Sequence, residues 1–182
     1  MGNGVNKRTM RVAFCSIISA LSLAMMMLTA VVPVGTYALP CAAGIIFTVV
    51  VVEYGAKWAF SVYLVVAILS TFLSGDKEAV IYFVMIFGYY PIIKSIIEGK
   101  IKSKALQYIL KFLVFNSAAV ASFFIGNFLI AIPPEEYMIA GVYVPWVLLI
   151  IGNIFFVIYD LAISMLVVRY VMVIHNKIFK RK

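Results

Sequence analysis

The amino-acid sequence predicts an all-α fold, a polytopic membrane protein built as a six-transmembrane-helix bundle with both termini in the cytoplasm, on three observations. Hydrophobic residues make up 65% of the 182 positions and charged residues 12%, with mean hydropathy +1.12, which leaves too little polar surface to cover a soluble globule. Apolar stretches close to bilayer length recur between short polar breaks. Of the 15 Lys and Arg residues, all but Lys77 fall on one side of the resulting thread, the asymmetry that marks the cytoplasmic face. No Ser/Gly/Pro-rich linker or charge block divides the chain, so residues 1–182 read as one integral membrane domain.

The first span is expected over 12–32, behind Lys7, Arg8 and Arg11 and stopped by Pro33 and Gly35. Its length exceeds a signal-peptide core, so it reads as a retained helix. The second, 39–52, is short and opens with Pro40 in its first turn. A tight link through Gly55 leads to a third span at 58–73, and a surface loop at 74–78 to a fourth at 79–97, kinked at Pro91. After a basic turn come a fifth span, 106–132, closed by Pro133 and Pro134, and a sixth, 138–174, long enough to tilt or to project from the bilayer. The basic residues then gather at the N-terminus, the 2–3 and 4–5 turns and the C-terminus.

That placement makes the net charge of +8 an orientation signal rather than a nucleic-acid footprint. Cys15 and Cys41 are expected near opposite membrane faces, without the spacing of a disulfide or metal site. The lone His175 lies in a basic tail, and no HExxH, GxSxG or P-loop is present. The sequence therefore carries no enzyme signature and predicts no cofactor and no metal.

Four groups carry candidate function. Asp160 is the carboxylate set deep in a span, at a cost of about 2.5–3.5 kcal/mol if unpaired; Lys111, at comparable depth, is its expected partner. Asn116 reads as interhelical glue. Asn127 and Asn153, expected in the outer half near Tyr143, Trp146, Tyr137 and the outward loops, one of which carries Tyr37, combine amides that fix orientation with rings that stack, which suits a small planar ligand; an interfacial aromatic belt is the alternative. Ser16, Ala20 and Ala24 recur every four residues and form a small-residue stripe that admits close helix approach, beside a soft Met25–Met27 run. The stripe serves either packing within the bundle or docking of a separate subunit.

With its length, six spans, cytoplasmic termini, basic start and Ser16/Ala20/Ala24 stripe, the chain resembles the substrate-capture (S) components of energy-coupling factor (ECF) importers of vitamins and micronutrients. The family's first helix carries an AxxxA-type motif; here Ser16 replaces the first Ala. The segment 33–44 (PVGTYALPCAAG) resembles the proline-bearing 1–2 loop of several members. The resemblance implies capture of a vitamin-like small molecule at the outward face of the prokaryotic cell membrane, with 34–38 as a lid. It further implies assembly with a transmembrane T subunit and two cytoplasmic ATPases, and toppling of the S component to release its cargo. Two other classes stay open: an envelope scaffold resembling the rod-shape-determining membrane family, and a small proton-coupled carrier or membrane enzyme centred on Asp160.

Overall fold

The computed structural model describes residues 2–32, 35–130, 138–139 and 142–175. Among these, six helical stretches are long and apolar enough to cross a membrane: Arg8–Leu28, Gly35–Tyr54, Ala56–Leu73, Lys77–Lys100, Lys104–Leu129 and Pro145–Val173.

Helix α1 (Gly2–Leu28) packs on α2 (Gly35–Tyr54) and α3 (Ala56–Leu73). Its buried face is Cys15, Ile18, Ser22 and Met26, continued by Thr29 in the turn that follows, the three-and-four spacing of one helical stripe. Ser22 Oγ donates to the Ala43 carbonyl across the α1–α2 contact at 3.2 Å. The second helix begins at Gly35, four residues before the expected start at Leu39, and so places Pro40 inside it. Between α2 and α3 only Gly55 intervenes, at φ 84° and ψ 171°, a conformation that glycine alone adopts without strain.

At the opposite end of α3, Asp76 caps α4 (Lys77–Tyr82) by accepting from the Ala79 amide at 3.0 Å, which satisfies one of the free amides of the first turn. This cap starts the helix two residues earlier than the expected 79. The fourth span is then built in three pieces: α4, a π-helical turn over Phe83–Phe87, and α5 (Tyr90–Lys100) with Pro91 in its first turn. The irregularity expected at Pro91 thus takes the form of a wide turn followed by a restart.

Two of the carbonyls in this break take tyrosine hydroxyls as donors. Gly88 N–H bonds back to Phe83 at 2.7 Å, leaving the Val84 carbonyl, which accepts from the Tyr63 hydroxyl at 2.9 Å. Pro91 has no N–H for the Phe87 carbonyl, which accepts from the Tyr159 hydroxyl at 3.2 Å. In an apolar bundle each unpaired group costs several kcal/mol, about the loss of a full hydrogen bond in hydrocarbon. Gly44 of α2 lies directly against the break: a Cβ there would stand 2.3 Å from the Phe87 carbonyl oxygen.

Helix α6 (Lys104–Ile130) and α7 (Val144–Arg169) complete the bundle, and α7 passes into a second π-helical segment, Tyr170–His175. A helix was expected from residue 138. Instead β1 (Met138–Ile139) pairs antiparallel with β2 (Val142–Tyr143), and α7 starts at Val144, with Pro145 in the first turn where a missing N–H is harmless. The buried core has two parts: one joins α1, α2, α3 and the fourth span around Met26, Phe47, Val66 and Phe83. The other joins the fourth span to α6 and α7 through Phe87, Tyr90, Phe115, Phe156, Tyr159 and Ile163.

Candidate functional site

The second core carries a buried charge cluster at its edge. On α5, Tyr90, Lys94 and Glu98 follow one another at intervals of four and share a face; α6 supplies Lys111 and α7 supplies Asp160. Lys94 and Lys111 are each 3% exposed and Asp160 5%, whereas the Glu98 side chain is 37% exposed. The Asp160 carboxylate accepts from the Tyr90 hydroxyl at 2.6 Å, from Lys111 Nζ at 3.2 Å and from Lys94 Nζ. Glu98 Oε1 completes the square, 2.5 Å from Lys111 and 3.1 Å from Lys94.

Two ammonium groups face two carboxylates, so the cluster is formally neutral. The backbone carbonyl of Asp160 is drawn in as well: Lys94 reaches it at 3.2 Å, and Ser164 Oγ donates to the same oxygen at 3.0 Å. A buried carboxylate with this many charge-assisted donors is held in one position. The arrangement ties α5, α6 and α7 together, and Glu98 alone connects it to the surroundings.

The Asp160–Lys111 contact expected from sequence is present, within a larger set. Tyr90 and Glu98 went unassigned in the sequence reading and Lys94 was counted as a cytoplasmic orientation charge, although the i, i+4, i+8 spacing of Tyr90, Lys94 and Glu98 was available to it. Lys94 and Lys111 are core residues and leave the tally of connection charges.

The candidate ligand residues have separate surroundings. Tyr37, 55% exposed, donates to Glu78 at 3.0 Å and packs its ring 5.0 Å from that of Tyr82, which donates to the same carboxylate at 3.1 Å. Next to it, Thr36 donates to Asp76 at 2.8 Å, so the start of α2 is fastened to the start of α4. Asn153 exchanges hydrogen bonds with Asn116 at 2.8 and 2.9 Å, and each amide also donates to the carbonyl four residues back. That reciprocal pair takes up the amide that the ligand reading assigned to Asn153. Asn127 is half-buried on α6 and Trp146 is exposed at the start of α7. Tyr143 lies in β2, and its side chain is outside the described residues, as are the side chains of Lys7 and His175. None of the five lines either of two surface concavities, one along the start of α1 and one between α3 and α5.

Ser16, Ala20 and Ala24 are all exposed on α1, on the side away from its buried stripe. Ser16 Oγ bonds back to the Val12 carbonyl at 3.0 Å, which leaves the stripe without a free polar group at that position. Among the described residues no group of three or more His, Cys, Asp or Glu side chains is arranged to hold a metal ion.

Fold and site together define a class: an apolar helical bundle with six helices, among the described residues, long and apolar enough to cross a membrane, closed at one edge by a neutral buried ion cluster. No protein-family model, no curated protein and no solved structure matches the chain.

Proposed function

We propose that the chain is the substrate-capture subunit of an ECF-type importer, threaded six times through the prokaryotic cell membrane with both termini in the cytoplasm. The observation that carries this reading is the orientation of the α1 stripe. Ser16, Ala20 and Ala24 take no part in packing α1 against α2 and α3, so the close approach that small residues permit is left for a helix outside the bundle, the T subunit. The threading rests on where Lys and Arg fall in the sequence, at its two ends and in the 2–3 and 4–5 connections.

In this arrangement Thr36 and Tyr37 belong to the outward lid, and their bonds to Asp76 and Glu78 fasten it to the 3–4 loop. Tyr37, Asn127, Tyr143 and Trp146 are the proposed contacts for a vitamin-like molecule, with Asn153 devoted to Asn116. The charge cluster acts as a rigid clasp for the half of the bundle built from α5, α6 and α7. The carrier reading centred on Asp160 is less well supported, because every member of the cluster is already paired.

The test is co-expression with a T subunit and two ATPases of an ECF system, followed by affinity capture and mass spectrometry of small molecules released from the detergent-purified chain. Assembly that is lost in Ala20→Leu and Ala24→Leu, with a vitamin-like compound released on denaturation, is the expected result. Capture of envelope-synthesis proteins through the same stripe would support a scaffold instead. Proton-coupled flux abolished by Asp160→Asn would support a carrier.

A further inference from the structure

We propose that the groove between α3 and α5 holds an acyl chain of an anionic phospholipid, with the lipid phosphate at Lys57 and the N-terminus of α3. The inference rests on the bundle's membrane setting and not on the importer reading. The groove encloses about 600 Å³; α3 contributes Lys57, Phe60 and Leu64 to it, α5 contributes Ile93 and Ile96, and Tyr89 lines it from the turn just before α5. Phe60, Leu64 and Ile96 are 47%, 43% and 40% exposed, so its walls are apolar and open to the bilayer. From Lys57 to Leu64 the helix rises about 10 Å, a length that suits the upper part of a hydrocarbon chain.

Charge complementarity selects the occupant. Lys57 is the one charged residue in the lining, sits at the mouth, and has no carboxylate partner among the described residues. The first amide of α3 bonded back along the helix is that of Ala59, to Gly55 at 3.2 Å, and Gly55 provides no side-chain cap. The amides of the first turn therefore point out of an 18-residue helix with the positive end of its dipole behind them. A Cβ at Gly55 would meet nothing within 4 Å, so there is room for a headgroup. On the other flank of the turn, Arg11 lies over the rings of Tyr54 and Trp58 at 5.4 and 5.1 Å and adds to the positive potential; the nearest acid in sequence, Glu53, accepts from Tyr170 at 2.8 Å. A zwitterionic lipid would fill the groove equally well, but would bring its own cation to this pole.

The probe is phosphatidylglycerol against phosphatidylcholine of identical acyl chains, titrated into the delipidated, detergent-purified full chain and read by native mass spectrometry. One phosphatidylglycerol per chain should be retained with roughly fivefold preference, the order expected for one lysine at an anionic headgroup. Lys57→Glu should abolish the preference, with Lys57→Gln in between, and Leu64→Trp should lower retention of both lipids by filling the groove. Equal retention of the two lipids by the unaltered chain would overturn the proposal. So would an undiminished preference in Lys57→Gln, which alters a solvent-facing side chain and serves if the Glu variant does not elute as one species. A dimer lost on Leu64→Trp, without any change in bound lipid, would show a second copy in the groove and would also overturn it.

Discussion

Asp160 takes four hydrogen bonds through its side chain and carbonyl from Tyr90, Lys94 and Lys111, and this decides which substitutions the bundle tolerates. Asp160→Asn leaves two buried ammonium groups with only the half-exposed Glu98 between them. Loss of one partner of a buried pair costs about 3–5 kcal/mol, so a large fall in detergent melting temperature is expected for Asp160→Asn. The double variant Asp160→Asn/Lys94→Met keeps the Lys111–Glu98 pair and restores neutrality; it should recover more than half of that loss, and no recovery would show that the cluster does not work by charge balance. The Asn116–Asn153 pair is a milder case. Asn153→Leu should cost about 0.6–1.7 kcal/mol, the range for interhelical polar contacts in membranes, and a double-mutant cycle with Asn116→Leu should give a coupling of that size. In the sequence Asp160 was conspicuous because a lone acid in an apolar run needs a partner, and Lys111 was found by depth. Lys94 was hidden: it stands five residues before Gly99 and the basic turn that follows, where a lysine reads as an orientation charge, and the break at Pro91 sets which way it faces.

The fourth span is the element on which the second core depends. Its π-helical turn and Pro91 free the Val84 and Phe87 carbonyls, and two tyrosines from different helices take them. Leaving a buried acceptor unmatched costs about 1–3 kcal/mol, so Tyr63→Phe and Tyr159→Phe should each lower stability by that amount in a detergent thermal-shift assay. In a Pro91→Ala background the residue-91 amide becomes available to Phe87, and Tyr159→Phe should then cost clearly less; an unchanged cost would mean that Tyr159 acts by packing alone. Gly44→Ala should be more damaging than either, because its Cβ meets backbone rather than a movable side chain. The existence of the six helices was legible from hydropathy alone, and Pro91 was legible as a disruption. The form of that disruption was not, since it rests on Tyr63 and Tyr159 from helices far away in sequence. The hairpin before α7 was missed because Met138, Ile139, Val142 and Tyr143 are as apolar as the span that follows, so hydropathy has no boundary to report there.

For the whole molecule, the basic side chains and the hydrophobic composition carry the threading, and the threading carries the proposed roles of the outer lid, the α1 stripe and the groove at Lys57. The outer end is expected where Thr36 and Tyr37 meet Asp76 and Glu78, beside Lys77, whose ammonium caps the Thr71 and Ser74 carbonyls at 2.8 and 3.1 Å. The inner end is expected at the connections carrying Lys57 and Lys102. If capture and delivery are this protein's work, the two ends must face different compartments. The most direct measurement is labelling of single-cysteine variants in intact cells with a membrane-impermeant maleimide, on a background with Cys15 and Cys41 replaced by Ala. Lys77→Cys should react in intact cells, whereas Lys102→Cys and Lys182→Cys should react only after permeabilisation. Equal labelling of the residue-77 and residue-102 variants in intact cells, or opposite behaviour of the variants at 102 and 182, would contradict the six-span threading and the importer proposal built on it.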